Sequence, residues 1–288
     1  MLASLKALLT SVVDYAGLFP PAKLDLRQAM ENYVQDSASP YAWMLNRFVI
    51  PISRLSEFAE LLSALSLKHW SLSVILSGLQ SEIEQMRSLN HSDNVAIAAL
   101  EFSPLSPPEI ERVLSDLPTG VEAFFEIPFN SDLKPYLKVL RHTGAAAKIR
   151  TGGATIDAFP SVTQLSQCIF SFAEAQVPFK ATAGLHHPLP AEYPLTGESD
   201  SPNTLMHGFL NVAILAALAY WQKVTPTEAL ELLQESSNTF QFKQDSICCC
   251  DRCLDILEIE AARQHFFRSF GSCSFQEPVN DLKHVLNW

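Results

Sequence analysis

Two short apolar runs in this sequence carry a polar or charged residue at every second position. In Ala146–Arg150, Lys148 and Arg150 alternate with Ala147 and Ile149; in Val177–Gly184, Lys180, Thr182 and Gly184 alternate with Phe179, Ala181 and Ala183. Side chains alternate across a strand, so each set shares one face. Two carboxylates fall in the same kind of pattern, Glu101 in line with Ala99 and Ile97, and Glu126 in line with Phe124. A lone buried charge costs several kcal/mol, so two lysines, an arginine and two glutamates on facing strands must compensate one another. A lysine amine is ordinarily protonated, with a pKa of about 10.4. A second cation nearby and partial burial both disfavour the charged form, and the neutral amine can attack a carbonyl to form a Schiff base. The iminium then draws electrons from the adjacent carbon, so a carbon–carbon bond can form or break while a carboxylate or water shuttles the proton.

Such a cluster needs several strands side by side. From residue 11 onward β-rich apolar runs alternate with amphipathic stretches, the pattern of βα repetition and a parallel sheet. Strands are expected at Ser11–Tyr15, Trp43–Ile50, Ser71–Ser77, Asn94–Phe102, Val121–Ile127, Ala145–Thr151, Val177–Ala183 and Gly271–Phe275. Helices are expected at Asp25–Asp36, Ser53–Leu67, Gln80–Leu89, Pro107–Leu117, Ser131–His142, Ser161–Gln176, Asn203–Trp221 and Pro278–Leu286, after a short opening helix within Met1–Thr10. Eight strands, each followed by a helix, match a closed (β/α)8 TIM barrel, an α/β fold in which active sites lie at the C-terminal mouth. An open doubly wound sheet is the rival, but Gly17-Leu18-Phe19-Pro20-Pro21 after the first strand is not a glycine-rich phosphate turn. The chain reads as one domain over residues 1–288. Residues 188–203 are a candidate lid loop, and 222–268 a helical insertion with helices near Pro226–Ser236 and Arg252–Ser269.

Composition narrows the partners. The chain has 288 residues, 48% of them hydrophobic and only 18% charged, enough for a large core and too few charges for long disordered tracts. A formal charge of −11 works against nucleic acid or an anionic membrane surface, since no basic stripe meets phosphates. The apolar run Val212–Trp221 is about half the ~20 residues that cross a bilayer. A small-molecule substrate, a cytoplasmic location and a symmetric homo-oligomer are the expectations. Cys248, Cys249, Cys250 and Cys253 cluster, with Cys168 and Cys273 apart; the spacing suits neither a disulfide framework nor export, and the Cys250–Cys253 C-x-x-C has no matching second pair.

The same segments resemble the class I aldolase barrels, and within them deoxyribose-phosphate aldolase and its relatives. Lys148-Ile-Arg-Thr-Gly-Gly153 is similar to the family's K-x-S-T-G segment, and Lys180-Ala-Thr-Ala-Gly184 to its K-x-A-G-G. Asn46-Arg-Phe-Val-Ile-Pro-Ile-Ser-Arg54 resembles P-R-F-I-P-I-A-R, Val13-Asp14-Tyr-Ala-Gly-Leu18 the aspartate-bearing first strand, and Phe270-Gly-Ser-Cys-Ser274 the F-G-A-S-S phosphate-binding turn. The resemblance implies Lys148 as the Schiff-base nucleophile and Lys180 as the second lysine. Asp14, Glu101 and Glu126 are the acidic candidates. Arg47, Arg150, Thr151, Gly152, Thr182, Gly184, His186, His187, His207, Gly271 and Ser272 are the candidates for holding substrate, and no cofactor is implied. Arg150 stands where the family has serine, and Leu185-His186-His187-Pro188 stands where it has I-R-T. An arginine there suits a small anionic carbonyl compound, because a guanidinium grips a carboxylate or phosphate by two hydrogen bonds.

His186, His187 and His207 leave another class open. With Asp14 and Glu126 they could form a divalent-metal site for a lyase, isomerase or hydrolase, although adjacent strand histidines face opposite ways and only one of the pair easily joins a common site. A barrel that binds a small molecule without chemistry is the third reading.

Overall fold

The computed structural model describes residues 1–77, 81–84, 94–195, 201–235 and 239–286. Seven strands lead off: β1 (Val13–Tyr15), β2 (Leu45–Pro51), β3 (Trp70–Leu76), β4 (Val95–Phe102), β5 (Glu122–Ile127), β6 (Ala146–Arg150) and β7 (Phe179–Thr182). An excursion follows with β8 (Ala191–Pro194), β9 (Asn203–Met206), β10 (Phe240–Phe242), β11 (Ser246–Cys249) and β12 (Arg252–Asp255). The chain then returns as β13 (Phe267–Ser272), which pairs in parallel with β7 on one side and β1 on the other. The closed order β1-β13-β7-β6-β5-β4-β3-β2 is an eight-stranded parallel barrel with helices between strands, a (β/α)8 TIM barrel.

The period-2 pattern separates two apolar populations. Leu100, Phe102, Phe125, Ala147, Ile149, Phe179 and Ala181 join the main core between strands and surrounding helices. Ala99, Phe124 and Ala146 form a separate cluster on the other strand face, inside the barrel. Each of these three precedes by two residues a charged one, Glu101, Glu126 and Lys148. Alternation therefore stacks a charged layer directly above an apolar one. Helix starts are fixed locally: Asp25 accepts from the Gln28 amide at 2.9 Å, and Ser161, Thr225 and Asp255 each form a capping box with the residue three positions on.

Three expectations change. The insertion is not wholly helical. A helix spans Pro226–Gln234, but β10, β11 and β12 form a three-stranded antiparallel sheet before the helix Ile256–His265. The expected helix Arg252–Ser269 thus begins as strand and ends in β13, and the last barrel strand lies at Phe267–Ser272 rather than Gly271–Phe275. Phe266, Phe267 and Phe270 are all buried, which reads equally as helix or strand until barrel closure selects strand. The candidate lid instead carries an antiparallel pair, Ala191–Pro194 with Asn203–Met206, and the following helix starts at Phe209. Of the expected helix Gln80–Leu89, Ser81–Glu84 is helical and the rest lies outside the described residues. No helix of the described residues is long and apolar enough to cross a membrane. The apolar helix Phe209–Tyr220 is buried nearly all round, covered by the insertion.

The cysteine cluster is corrected as well. Cys248 and Cys253 sit opposite each other on β11 and β12, with Cα atoms 4.1 Å apart, and form a disulfide; neither C-x-x-C sulfur pairs with the other. Cross-strand register, which spacing alone does not give, brings these two together. Thiol counting on unfolded, unreduced protein is expected to find four thiols, Cys168, Cys249, Cys250 and Cys273, with Cys250 reacting first in the native state. A count of six would mean that the hairpin holds no bridge.

Candidate functional site

Register places the charged residues opposite one another. Glu126 on β5 is level with Lys148 on β6, and Lys148 with Lys180 on β7. Lys180 is 1% exposed and Lys148 4% at their side chains. Lys180 Nζ donates to Asp14 Oδ2 across the barrel and to Glu101 Oε1 at 2.7 Å. Lys148 Nζ lies 3.4 Å from the other oxygen of Glu101 and 3.1 Å from Glu126 Oε2. Glu126 Oε1 in turn accepts from Arg150 Nε at 3.1 Å, and the Arg150 side chain is 45% exposed at the strand end. A single chain of charge therefore runs Asp14–Lys180–Glu101–Lys148–Glu126–Arg150, from the sealed interior to the C-terminal mouth.

The electrostatics follow from that chain. Burial would push the Lys180 ammonium down, but Asp14 and Glu101 outweigh it and hold the group above the ordinary lysine value. Burial likewise works against the Glu101 carboxylate, and Lys180 with Lys148 overcomes it, bringing its pKa down to about 2. The ring of Phe124 lies 5.2 Å from Lys180 Nζ and adds a cation–π contact from the apolar layer beneath.

Several partners were not among the residues expected from the sequence. Ser73 on β3 donates to Glu101 Oε1 at 2.7 Å, Ser269 on β13 to Asp14 Oδ2 at 2.6 Å, and Asn46 on β2 to Asp14 Oδ1 at 2.8 Å. Ser71 and Ser73 alternate in an apolar strand, which is the same cue that exposed the lysines. Ser269 was hidden because the last strand was placed too late.

Other expected site residues fall elsewhere. Arg47 is the third residue of β2, near the N-terminal end of the barrel; it is ion-paired to Glu122, its amide donates to Asp14 Oδ1 at 3.3 Å, and its Nη1 lies 3.8 Å from Asp14 Oδ2. Thr151 is wholly buried and donates to the Ala183 carbonyl, tying the ends of β6 and β7 together. Gly184 has φ +76°, and a Cβ there would stand 2.4 Å from the Thr151 carbonyl oxygen. Gly152 packs on Gly184, where its Cβ would meet the Gly184 Cα at 2.6 Å. These glycines let two strand ends touch backbone to backbone. Gly184→Ala is expected to cost about 2–4 kcal/mol in urea unfolding, from strain and clash together. Thr182 is level with both Arg150 and Gly271.

The histidines divide. His186 Nδ1 lies 3.0 Å from Glu277 and 3.3 Å from Ser272 Oγ. A serine relay needs serine and acid on opposite ring nitrogens, and here both share one, so this is not a nucleophilic triad. The His186 contact holds the Glu277 carboxyl below the usual carboxylate range. His187 Nδ1 is 2.5 Å from Asp281, with its ring stacked on Tyr193 of β8. Both histidines thus dock on the last helix, Gln276–Leu286, at positions one turn apart. His207 is buried, meets the Pro160 carbonyl at 2.7 Å, and is pushed down by burial. Among the described residues no group of three or more His, Cys, Asp or Glu side chains is placed to hold a metal ion. The arrangement expected for the metal reading, histidines converging with Asp14 and Glu126, is not formed.

No family of known proteins, no curated protein and no solved structure matches this chain.

Proposed function

We propose that the chain is a Schiff-base-forming lyase of the aldolase type, acting through Lys148 on a small anionic carbonyl compound. The observation that carries this reading is the registered pair Lys148–Lys180, in which Lys180 is locked as an ammonium by Asp14 and Glu101. A cation hydrogen-bonded to two sealed carboxylates is the poorer nucleophile, which favours Lys148, whose partner Glu126 is shared with the exposed Arg150. Glu126 at 3.1 Å is placed to take the Lys148 proton, and the amine then adds to the carbonyl carbon. Loss of water, with the proton returned by Glu126, leaves the iminium. Electrons of the cleaving carbon–carbon bond flow into that iminium to give an enamine, while the hydroxyl of the departing fragment gives its proton to the Glu126 carboxylate and becomes a carbonyl. Glu126 returns that proton to the enamine carbon, water hydrolyses the iminium to free Lys148, and Glu101, shared by both lysines, lies beside the reacting nitrogen. Arg150 at the mouth supplies the grip on a carboxylate or phosphate.

The test is borohydride reduction with a panel of carbonyls (pyruvate, acetaldehyde, sugar phosphates), read by intact mass and peptide mapping. An adduct on Lys148 is the expected result. An adduct that survives Lys148→Ala and disappears in Lys180→Ala would reverse the roles. A second reading, a barrel whose charges only fix the fold, is favoured by the near-complete burial of both lysines. It predicts no adduct with any carbonyl of the panel.

A further inference from the structure

Strand β4 carries one residue more than its neighbour β3. Leu72 is level with Ile97 and the next residue, Ser73, with Ala99, so Ala98 is an extra residue, a β-bulge. Phe48, Leu72 and Ile97 lie level across β2, β3 and β4, and Phe48 packs on Tyr33 and Phe58 of the surrounding helices. That row therefore faces outward. Counted on from Ile97 by strict alternation, Ala99 and Glu101 would face the helices too. The bulge reverses the count: Ala99 joins the inner cluster and Glu101 turns into the barrel, so Ile97 does not share their face. Bulges of this kind re-aim side chains beside active sites. The same device recurs around Asp14, where β2 and β13 each gain a residue at the places from which Asn46 and Ser269 reach it.

One layer below Glu101 stands Ser73, level with Ala99 of the inner apolar cluster and wholly buried. A buried hydroxyl is costly unless its proton meets an acceptor, and Glu101 Oε1 is that acceptor at 2.7 Å. Lys180 donates to the same oxygen at 2.7 Å, whereas Lys148 faces the other, Oε2, at 3.4 Å. We propose that Ser73 is a positioning residue for the chemistry at Lys148: it pins Glu101 Oε1 on the Lys180 side and leaves Oε2 as a fixed anion beside the reacting nitrogen. The proposal rests on the Schiff-base reading. Burial works against the Glu101 charge, but Lys180, Lys148 and the Ser73 hydroxyl hold its pKa at about 2, so it stays an anion while Glu126 carries the proton. At 3.4 Å, Oε2 is past the ~3.2 Å of a well-formed hydrogen bond, so it favours the cationic iminium without holding the proton of the amine. Without Ser73 the carboxylate is free to turn, accept from Lys148 and keep that amine protonated.

The test follows borohydride trapping of the Lys148 adduct, with the same carbonyl panel, from about pH 6 to about pH 9 in the unaltered chain, Ser73→Ala and Ser73→Thr. At pH 7 Ser73→Ala is expected to slow trapping about tenfold, with the deficit closing as pH rises. Ser73→Thr, which keeps the hydroxyl, is expected to restore most of the rate. A deficit equal at every pH, or no deficit at all, overturns the proposal. A second readout needs no carbonyl: the Cε resonances of Lys148 and Lys180 in isotope-labelled protein at pH 7. Both are expected to move in Ser73→Ala and to return in Ser73→Thr, because both lysines share Glu101. Resonances that stay in place overturn the positioning of Glu101 by Ser73, whether or not an adduct forms. A chain that traps no carbonyl yet shows these movements loses the lyase reading, while the hold of Ser73 on Glu101 stands. The two failures are thus read separately.

Discussion

Lys180→Met is expected to lower folding stability by about 3–5 kcal/mol, the cost of leaving buried carboxylates without their cation. The ammonium donates to both Asp14 and Glu101, and both acids are almost wholly buried. Asp14 retains Ser269 and Asn46, and Glu101 retains Ser73 and Lys148, so hydrogen bonds remain but half the compensating charge is gone. The pH dependence separates this mechanism from simple loss of packing. In the unaltered chain the Glu101 pKa is lowered to about 2, so its contribution is present above its ordinary value of 4.5 and is lost as pH falls toward 2. That contribution is on the order of 3 kcal/mol. Lys180 is raised above 10.5, so its contribution is full below 10.5 and is lost as pH rises beyond it. Removing Lys180 reverses the acid limb, because a buried Glu101 short of cations takes up a proton on folding. Guanidinium unfolding of the two proteins at pH 7 and pH 4 is therefore expected to show the gap narrowing at pH 4. A constant gap would mean that lost packing, not unpaired charge, sets the cost.

Lys148→Ala is expected to do the opposite: a small change in stability and a loss of chemistry. Its carboxylates have other partners, Glu101 keeping Lys180 and Ser73, and Glu126 keeping Arg150. If Lys148 is the nucleophile, borohydride adducts vanish and turnover of a carbonyl substrate falls on the order of 10⁴-fold or more. Arg150→Gln, in contrast, is expected to raise KM while leaving the adduct chemistry in place, because the guanidinium lies half-exposed at the strand end and is ion-paired to Glu126. Steady-state kinetics and adduct mass on the same preparations check both. Full activity in Lys148→Ala would remove the Schiff-base reading altogether.

The alternation of Lys148 with Ile149 and of Lys180 with Ala181 was enough to predict inward charges on two strands, and repetition of that unit predicted the barrel. Both are local: strand period and βα order are written residue by residue, and few ways exist to close eight such units. Glu101 and Glu126 were readable for the same reason, whereas Asp14 was named only through the resemblance of Val13–Leu18 to an aspartate-bearing first strand. What tertiary structure alone decided is who meets whom across the barrel. Asp14 and Lys180 are 166 residues apart, and only closure of β13 between β1 and β7 puts one beside the other. The same closure took Phe267–Ser272 away from a helix, brought Ser269 to Asp14, and set Arg47 at the far end of the barrel from the mouth. Cross-strand register paired Cys248 with Cys253 where the spacing had suited no disulfide. Residue types and their period fixed which side chains face inward, and long-range pairing decided that Lys180 meets Asp14 and Glu101 while Lys148 meets Glu101 and Glu126.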